Sequence, residues 1–159
     1  MPNYLSPEAR FEGKSELPAD VWGLGCTIFQ IRAGVPLFYS LLGGDSRILK
    51  AIVQTLGKLP EPWWSTFESR RLWFDECGEP KAGTEAMKTP IKQQLASVGY
   101  YNNPPPTRVG DSMVEPFGTG LDEVEIELLG DLLEKMMRYR PEDRIKIFEV
   151  VAHPWFALE

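Results

Sequence analysis

In the last third of the chain, apolar residues recur at intervals of three and four: Val124, Leu128, Leu129, Leu132, Leu133, Met136 and Met137. That spacing marks one face of a helix over about residues 122–138. Asp122, Glu123, Glu125 and Glu127 load its first turns and Lys135 and Arg138 its last, which suits the helix dipole. The acidic start reads as a solvated face. A second face, formed by Ile48, Leu49, Ile52, Val53 and Leu56, predicts a helix over 46–56, with Asp45 as its cap and Gly57 just past its end. Between Pro18 and Ala33 apolar side chains occupy nearly every side, which predicts a central, buried helix halted by Gly34 and Pro36. Gly23 and Gly25 within it read as points of close packing. Shorter helices are predicted over about 88–98 and 147–152, the second ending before Pro154. No segment alternates as a strand does, so the expected architecture is mostly α.

Two stretches lack such periodicity. Residues 1–17 read as an extended or looping lead-in, because Pro7 disfavours helix at Ser6 and Gly13, Ser15 and Pro18 punctuate the residues after it. Residues 58–120 read as a long, loop-rich connection carrying Pro60, Pro62, the Trp63-Trp64 pair and Pro104-Pro105-Pro106. The aromatic pairs Trp63-Trp64 and Trp73-Phe74 fit packing onto the body better than an exposed partner site. Pro104 to Pro106 fit a linker better than a polyproline ligand.

With 159 residues the chain has room for a single domain with a core of its own. Its formal charge of −6 gives no support to nucleic-acid binding, which needs clustered Lys and Arg, and the Arg70-Arg71 pair is too small to change that. Cys26 and Cys77 form neither a CxxC pair nor a metal-ligand spacing, and there is one histidine. Free thiols in a reducing compartment are expected, with Cys26 a small buried hydrophobe. The longest apolar stretch, near 21–31, is too short for a membrane span. No signal-peptide pattern is present at Met1-Pro2-Asn3-Tyr4. The expected location is intracellular, in cytoplasm or nucleus.

Three patches together carry a resemblance. Tyr4-Leu5-Ser6-Pro7-Glu8 resembles the end of a protein kinase activation segment, with its Pro-Glu pair. Ala19-Asp20-Val21-Trp22-Gly23-Leu24-Gly25-Cys26 resembles the start of the large central helix of the kinase C-lobe. Arg140-Pro141-Glu142-Asp143-Arg144-Ile145, followed by His153-Pro154-Trp155-Phe156, resembles the arginine-bearing turn and last helix of that lobe. In this order they resemble a eukaryotic serine/threonine protein kinase domain from the end of the activation segment onward. Leu56-Gly57-Lys58-Leu59-Pro60, with a long insert after it, is similar to the cyclin-dependent, MAP and SR-protein kinase group, and within that group the resemblance is to the SR-protein kinases first.

The resemblance implies roles for single residues. Glu8 and Arg144 would form the buried ion pair that ties the activation segment to the helical base, with Pro7 and Trp22 as structural motif residues. Tyr4, Leu5 and Ser6 would contact the residue beside the phospho-acceptor. Asp20 would hold the catalytic loop. Because that loop is missing here, Asp20 is expected to be exposed, to be a buried acid without compensation, or simply to cap its helix. His153, beside Pro154 and Trp155, reads as structural.

A kinase also needs a Gly-rich loop, a strand lysine, a catalytic-loop aspartate and asparagine, and a DFG aspartate for magnesium. None of these motifs occurs in the sequence, so no catalytic, cofactor-binding or metal-ligating residue is assigned. Two functions stay open. One is part of a kinase whose parent would use ATP and Mg2+ to phosphorylate protein, with a protein substrate or the missing N-lobe and catalytic loop as partner. The other is a binding or decoy module without chemistry. The open apolar surface that either would leave predicts poor solubility or self-association.

Overall fold

The computed structural model describes residues 4–40, 44–99 and 120–158. Among them the architecture is helical, and the lone antiparallel bridge joins Phe74 and Pro80.

The lead-in is not a loop throughout. Helix α1 spans Pro7–Glu12. Ser6 is extended at φ −68° and ψ 157°, as the residue before a proline prefers, and its hydroxyl accepts from the Ala9 N–H at 3.4 Å. The proline that bars helix at Ser6 therefore opens one at its own position, where no N–H is needed. Gly13, at φ 67°, closes the helix in the left-handed region.

Helix α2, Leu17–Ala33, runs through the centre and buries Val21, Trp22, Gly25, Cys26, Ile28, Phe29 and Ala33. It is not covered on every side. Leu17, Asp20, Thr27 and Ile31 are exposed and Leu24 is half-buried, and these positions form one stripe at helical spacing. A Cβ placed on Gly25 would lie 3.3 Å from the Met136 Cβ and would collide with the Met137 methyl, so the glycine permits close helix crossing. Gly23 faces only the Tyr4 carbonyl, at ordinary contact distance.

Helix α3, Asp45–Leu56, follows an N-cap at Gly44, whose φ is 88°. Asp45 is the first helical residue rather than the cap, and its carboxylate pairs with Arg10 instead.

The described part of the middle connection is ordered by its aromatics. Helix α4 (Trp63–Thr66), a 3-10 turn over Glu68–Leu72 and helix α5 (Ile91–Ala96) lie within it. Trp63, Trp64, Phe67, Trp73, Phe74, Ile91 and Leu95 all join the core. Both aromatic pairs are packed inside. The Trp64 ring has the Arg70 guanidinium 5.2 Å and the Lys58 ammonium 5.4 Å from its centroid, a cation–π pairing that accommodates a buried Arg70. Pro104 to Pro106 lie outside the described residues.

Helix α6, Glu123–Met136, is capped by Asp122, whose Oδ1 accepts from the Glu125 N–H at 2.8 Å. Leu129, Leu132, Leu133 and Met136 face the core, whereas Val124 is exposed. The acidic start is only partly solvated. Glu125 accepts from Nε and Nη2 of Arg32 at 2.6 and 2.7 Å, and Glu127 accepts from Lys92 Nζ at 2.6 Å. A 3-10 turn at Pro141–Asp143, helix α7 (Ile147–Val151) and a 3-10 turn at Pro154–Ala157 come last.

Candidate functional site

A glutamate and an arginine from opposite ends of the chain meet beneath α1. The carboxylate of Glu8 accepts from Nη1 and Nη2 of Arg144, both at 2.6 Å, with side chains 6% and 1% exposed. Arg144 uses its remaining donors as well. Its Nε donates to the Arg138 carbonyl at 2.8 Å, and the two Nη donate to the carbonyls of Pro18 and Tyr139 at 2.8 and 3.1 Å. A charge removed from water is tolerable when it is paired and its donors are satisfied, and both conditions hold here. The Trp22 ring centroid lies 5.2 Å from the guanidinium and 5.5 Å from that of the Phe38 ring, which it stacks against. Glu8, Trp22 and Arg144 thus form one buried cluster that ties α1 to α2 and to the end of the turn at Pro141–Asp143, and Pro7 is buried next to Glu8 in α1.

Above that cluster, the segment Tyr4-Leu5-Ser6 is held at every residue. The Tyr4 hydroxyl bonds the Gln30 side chain on α2, and the Leu5 carbonyl accepts from Arg10 Nε at 3.2 Å. The Ser6 hydroxyl is committed to capping α1. Ser6 is buried and Tyr4 half-buried, while Leu5 is 43% exposed.

Asp20 is brought to neither group. It is exposed on the open stripe of α2, with no hydrogen-bond partner among the described residues and no capping role, because Glu16 is the N-cap. His153 is structural. Its Nδ1 accepts from the Trp155 N–H at 3.2 Å, which leaves Nε2–H to donate to Asp131 at 2.9 Å. Lys135 and then His153 hold the Asp131 carboxyl below its usual range.

Arg10 is the residue that sequence reasoning missed. Its side chain is 2% exposed, and it joins the Leu5 carbonyl to Asp45 at the start of α3. Burial pulls its pKa below the usual arginine range, and Asp45 opposes that shift. A lone arginine between Ala9 and Phe11 has no periodicity to betray it; its placement in the first helix after Pro7-Glu8 is the only signal.

A cavity of about 380 Å³ opens beside the ion pair, walled by Trp63 and rimmed by Glu12, Glu16, Glu61 and Glu142, with Lys14 and Arg140. Carboxylates outnumber cations there, so the rim repels phosphate rather than cradling it. Among the described residues no three His, Cys, Asp or Glu gather as a metal site. The lining of this cavity does not suit a nucleoside triphosphate with its magnesium, and no step through that group follows from it.

The family model of the protein kinase domain matches residues 1–156. A dual specificity tyrosine-phosphorylation-regulated kinase of Caenorhabditis elegans, mbk-2, is 27% identical over 157 residues, covering 96% of this chain and 18% of that protein. The human dual specificity protein kinase CLK2 is 26% identical over 160 residues, covering 98% of this chain and 27% of that protein. Cell division control protein 2 homolog 1 of Trypanosoma brucei brucei is 24% identical over 145 residues, with shares of 89% and 39%. The chain therefore spans well under half the length of these relatives.

Proposed function

The chain belongs to the protein kinase domain family, and from that premise we propose that it is the substrate-side helical base of a serine/threonine protein kinase. The complete domain would transfer the γ-phosphate of ATP to protein hydroxyls, with ATP and Mg2+ held by residues outside this chain. The chain by itself would carry no phosphotransfer. Tyr4, Leu5 and Ser6 would dock the protein substrate, and the location would be intracellular, where ATP and free thiols are found together.

The observation that carries this reading is the open stripe of α2. Leu17 and Ile31 are 82% and 79% exposed on a helix whose opposite face is buried, and Asp20 stands among them with no partner among the described residues. Apolar side chains at helical spacing beside an exposed carboxylate suit a protein surface with an apolar face and backbone N–H donors, as a docked catalytic loop would offer. The Glu8–Arg144 pair supports the same reading by fixing the docking segment to that base.

The test is the 5′ end of the transcript, read with the intact mass of the protein in its native cells. A longer product carrying a Gly-rich loop, a strand lysine, a catalytic-loop aspartate and a DFG motif is expected. A product of 18.0 kDa would overturn that reading and favour a binding module without chemistry.

A further inference from the structure

Two hydroxyl side chains in the sequence are followed directly by proline, at Ser6-Pro7 and Thr89-Pro90. The fold treats them in opposite ways. Ser6 is 2% exposed and its hydroxyl caps α1. Thr89 is half-buried between an exposed Lys88 and an exposed Pro90, and its hydroxyl has no hydrogen-bond partner among the described residues. Other described hydroxyls are committed to their own chain: Thr27 donates to the Gly23 carbonyl, Thr55 to Ala51, Thr66 to Pro62 and Ser97 to Gln94. The backbone at Thr89 is also held in an extended form. Gln54 of α3 accepts from the Thr89 N–H through its carbonyl and donates from Nε2 to the Met87 carbonyl, both at 2.9 Å. Pro90 lies at φ −54° and ψ 152°, and a proline disfavours helical backbone at the residue before it.

A free hydroxyl on extended backbone before a proline has a chemical use. In-line attack on a phosphoryl group needs a hydroxyl that stands clear of its own chain. A recognition groove with no acceptor after that hydroxyl selects proline, because any other residue would bring an N–H to be buried unpaired. The surroundings supply a receiver for the phosphate. Pro90 and Arg138 line one cavity of about 230 Å³, together with Glu134. Arg138 is exposed just past α6, and its guanidinium has no hydrogen bond or ion pair among the described residues. Lys88 and Lys92, on either side of Thr89, already hold Glu79 and Glu127 at 2.7 and 2.6 Å. Arg138 is thus the uncommitted fork beside the site, with Glu134 the group a phosphate must avoid.

We propose that Thr89 is a phosphorylation site for a separate, proline-directed serine/threonine kinase, and that Arg138 holds the phosphate placed there. The Thr89 Oγ1 attacks the γ-phosphorus of ATP bound to that enzyme. The new O–P bond forms as the β,γ-bridging O–P bond breaks, ADP leaves, and the hydroxyl proton passes to a carboxylate base of the modifying kinase. The phosphate brings close to two negative charges and three acceptor oxygens to the cavity. Paired with Arg138, it ties the segment before α5 to the end of α6.

The experiment incubates the full 159-residue chain with a purified proline-directed serine/threonine kinase, magnesium and ATP labelled at the γ-phosphate, and maps the label by peptide mass spectrometry. Synthetic peptides of residues 2–13 and 84–96 are run beside it. Both peptides should accept label, whereas the native chain should take it at Thr89 and not at Ser6. Thr89→Val should abolish the label, and Pro90→Ala should slow its uptake by roughly tenfold. Phosphorylation should raise the melting temperature of the wild-type chain by about 2–4 °C, the scale of one new charge-assisted pair at this chain length. Arg138→Ala should remove that rise without reducing the label. A native chain that stays unlabelled at Thr89 while the 84–96 peptide is labelled would overturn the site, as would a peptide that takes no label or native label on Ser6 instead. Label at Thr89 with no rise, or a rise that persists in Arg138→Ala, would overturn the role of Arg138.

Discussion

Glu8 and Arg144, 136 positions apart, join through two parallel hydrogen bonds of 2.6 Å, with both side chains almost wholly out of water. No other described ion pair links the two ends of the chain in this way while satisfying its remaining donors on three carbonyls. Removing one partner strands the other in a low-dielectric interior, which typically costs about 3–5 kcal/mol. Arg144→Ala should therefore lower the urea midpoint sharply. The double variant Glu8→Gln with Arg144→Met should be less damaging than Arg144→Ala, because it leaves no buried charge unpaired. Equal denaturation midpoints for wild type and Arg144→Ala would contradict the pairing.

The two cysteines should react in sequence. Burial pushes the Cys26 thiol from 9.0 up to about 12, so at pH 8 it stays protonated, and the core blocks access to it. Cys77 is exposed beyond the Phe74–Pro80 bridge. An aromatic disulfide reagent at pH 8 should titrate Cys77 alone in the native chain, and Cys26 only after denaturant is added. Immediate reaction of both thiols would show that α2 is not packed as described.

The open stripe of α2 has a consequence in solution. Leu17 and Ile31 on the stripe, and Val35 and Tyr39 after the helix, leave large apolar side chains exposed. The isolated chain should self-associate in the micromolar range, and Leu17→Lys with Ile31→Glu should shift it toward monomer without lowering its melting temperature. Sedimentation of the wild type as a single monomeric species at all concentrations would contradict that expectation.

Legibility in the sequence came from periodicity and from side chains with one dominant use. Helix α6 was legible because Leu129, Leu132, Leu133 and Met136 keep the helical interval, although Asp122, read as part of its first turn, stands just outside it as the cap. The fold class and the family were legible from three short patches in order. Helix α1 was not, because Pro7 reads as a breaker for the residue before it and the six-residue element is too short to show a period. Between 58 and 96 the helix at 91–96 and the packing of both aromatic pairs were legible, but the short elements at 63–72 were not: Trp64 and Trp73 are held by cation–π contacts with Arg70, Lys58 and Lys50, which obey no spacing rule. Arg10 and Asp45 were illegible as a pair because they lie 35 positions apart on separate helices. Asp20 was legible as one of three outcomes, and the structure selects the exposed one.

The most direct test is phosphotransfer by the 159-residue chain itself. Purified chain is incubated with magnesium and ATP labelled at the γ-phosphate, together with a serine-containing acceptor protein. The acidic rim beside Glu8 and the missing Gly-rich, lysine, catalytic-loop and DFG motifs predict no label above a chain-free control. Label on the acceptor that rises in proportion to the chain, and is lost when Arg144→Ala unfolds it, would contradict the central claim that this helical base needs the rest of a kinase domain for chemistry.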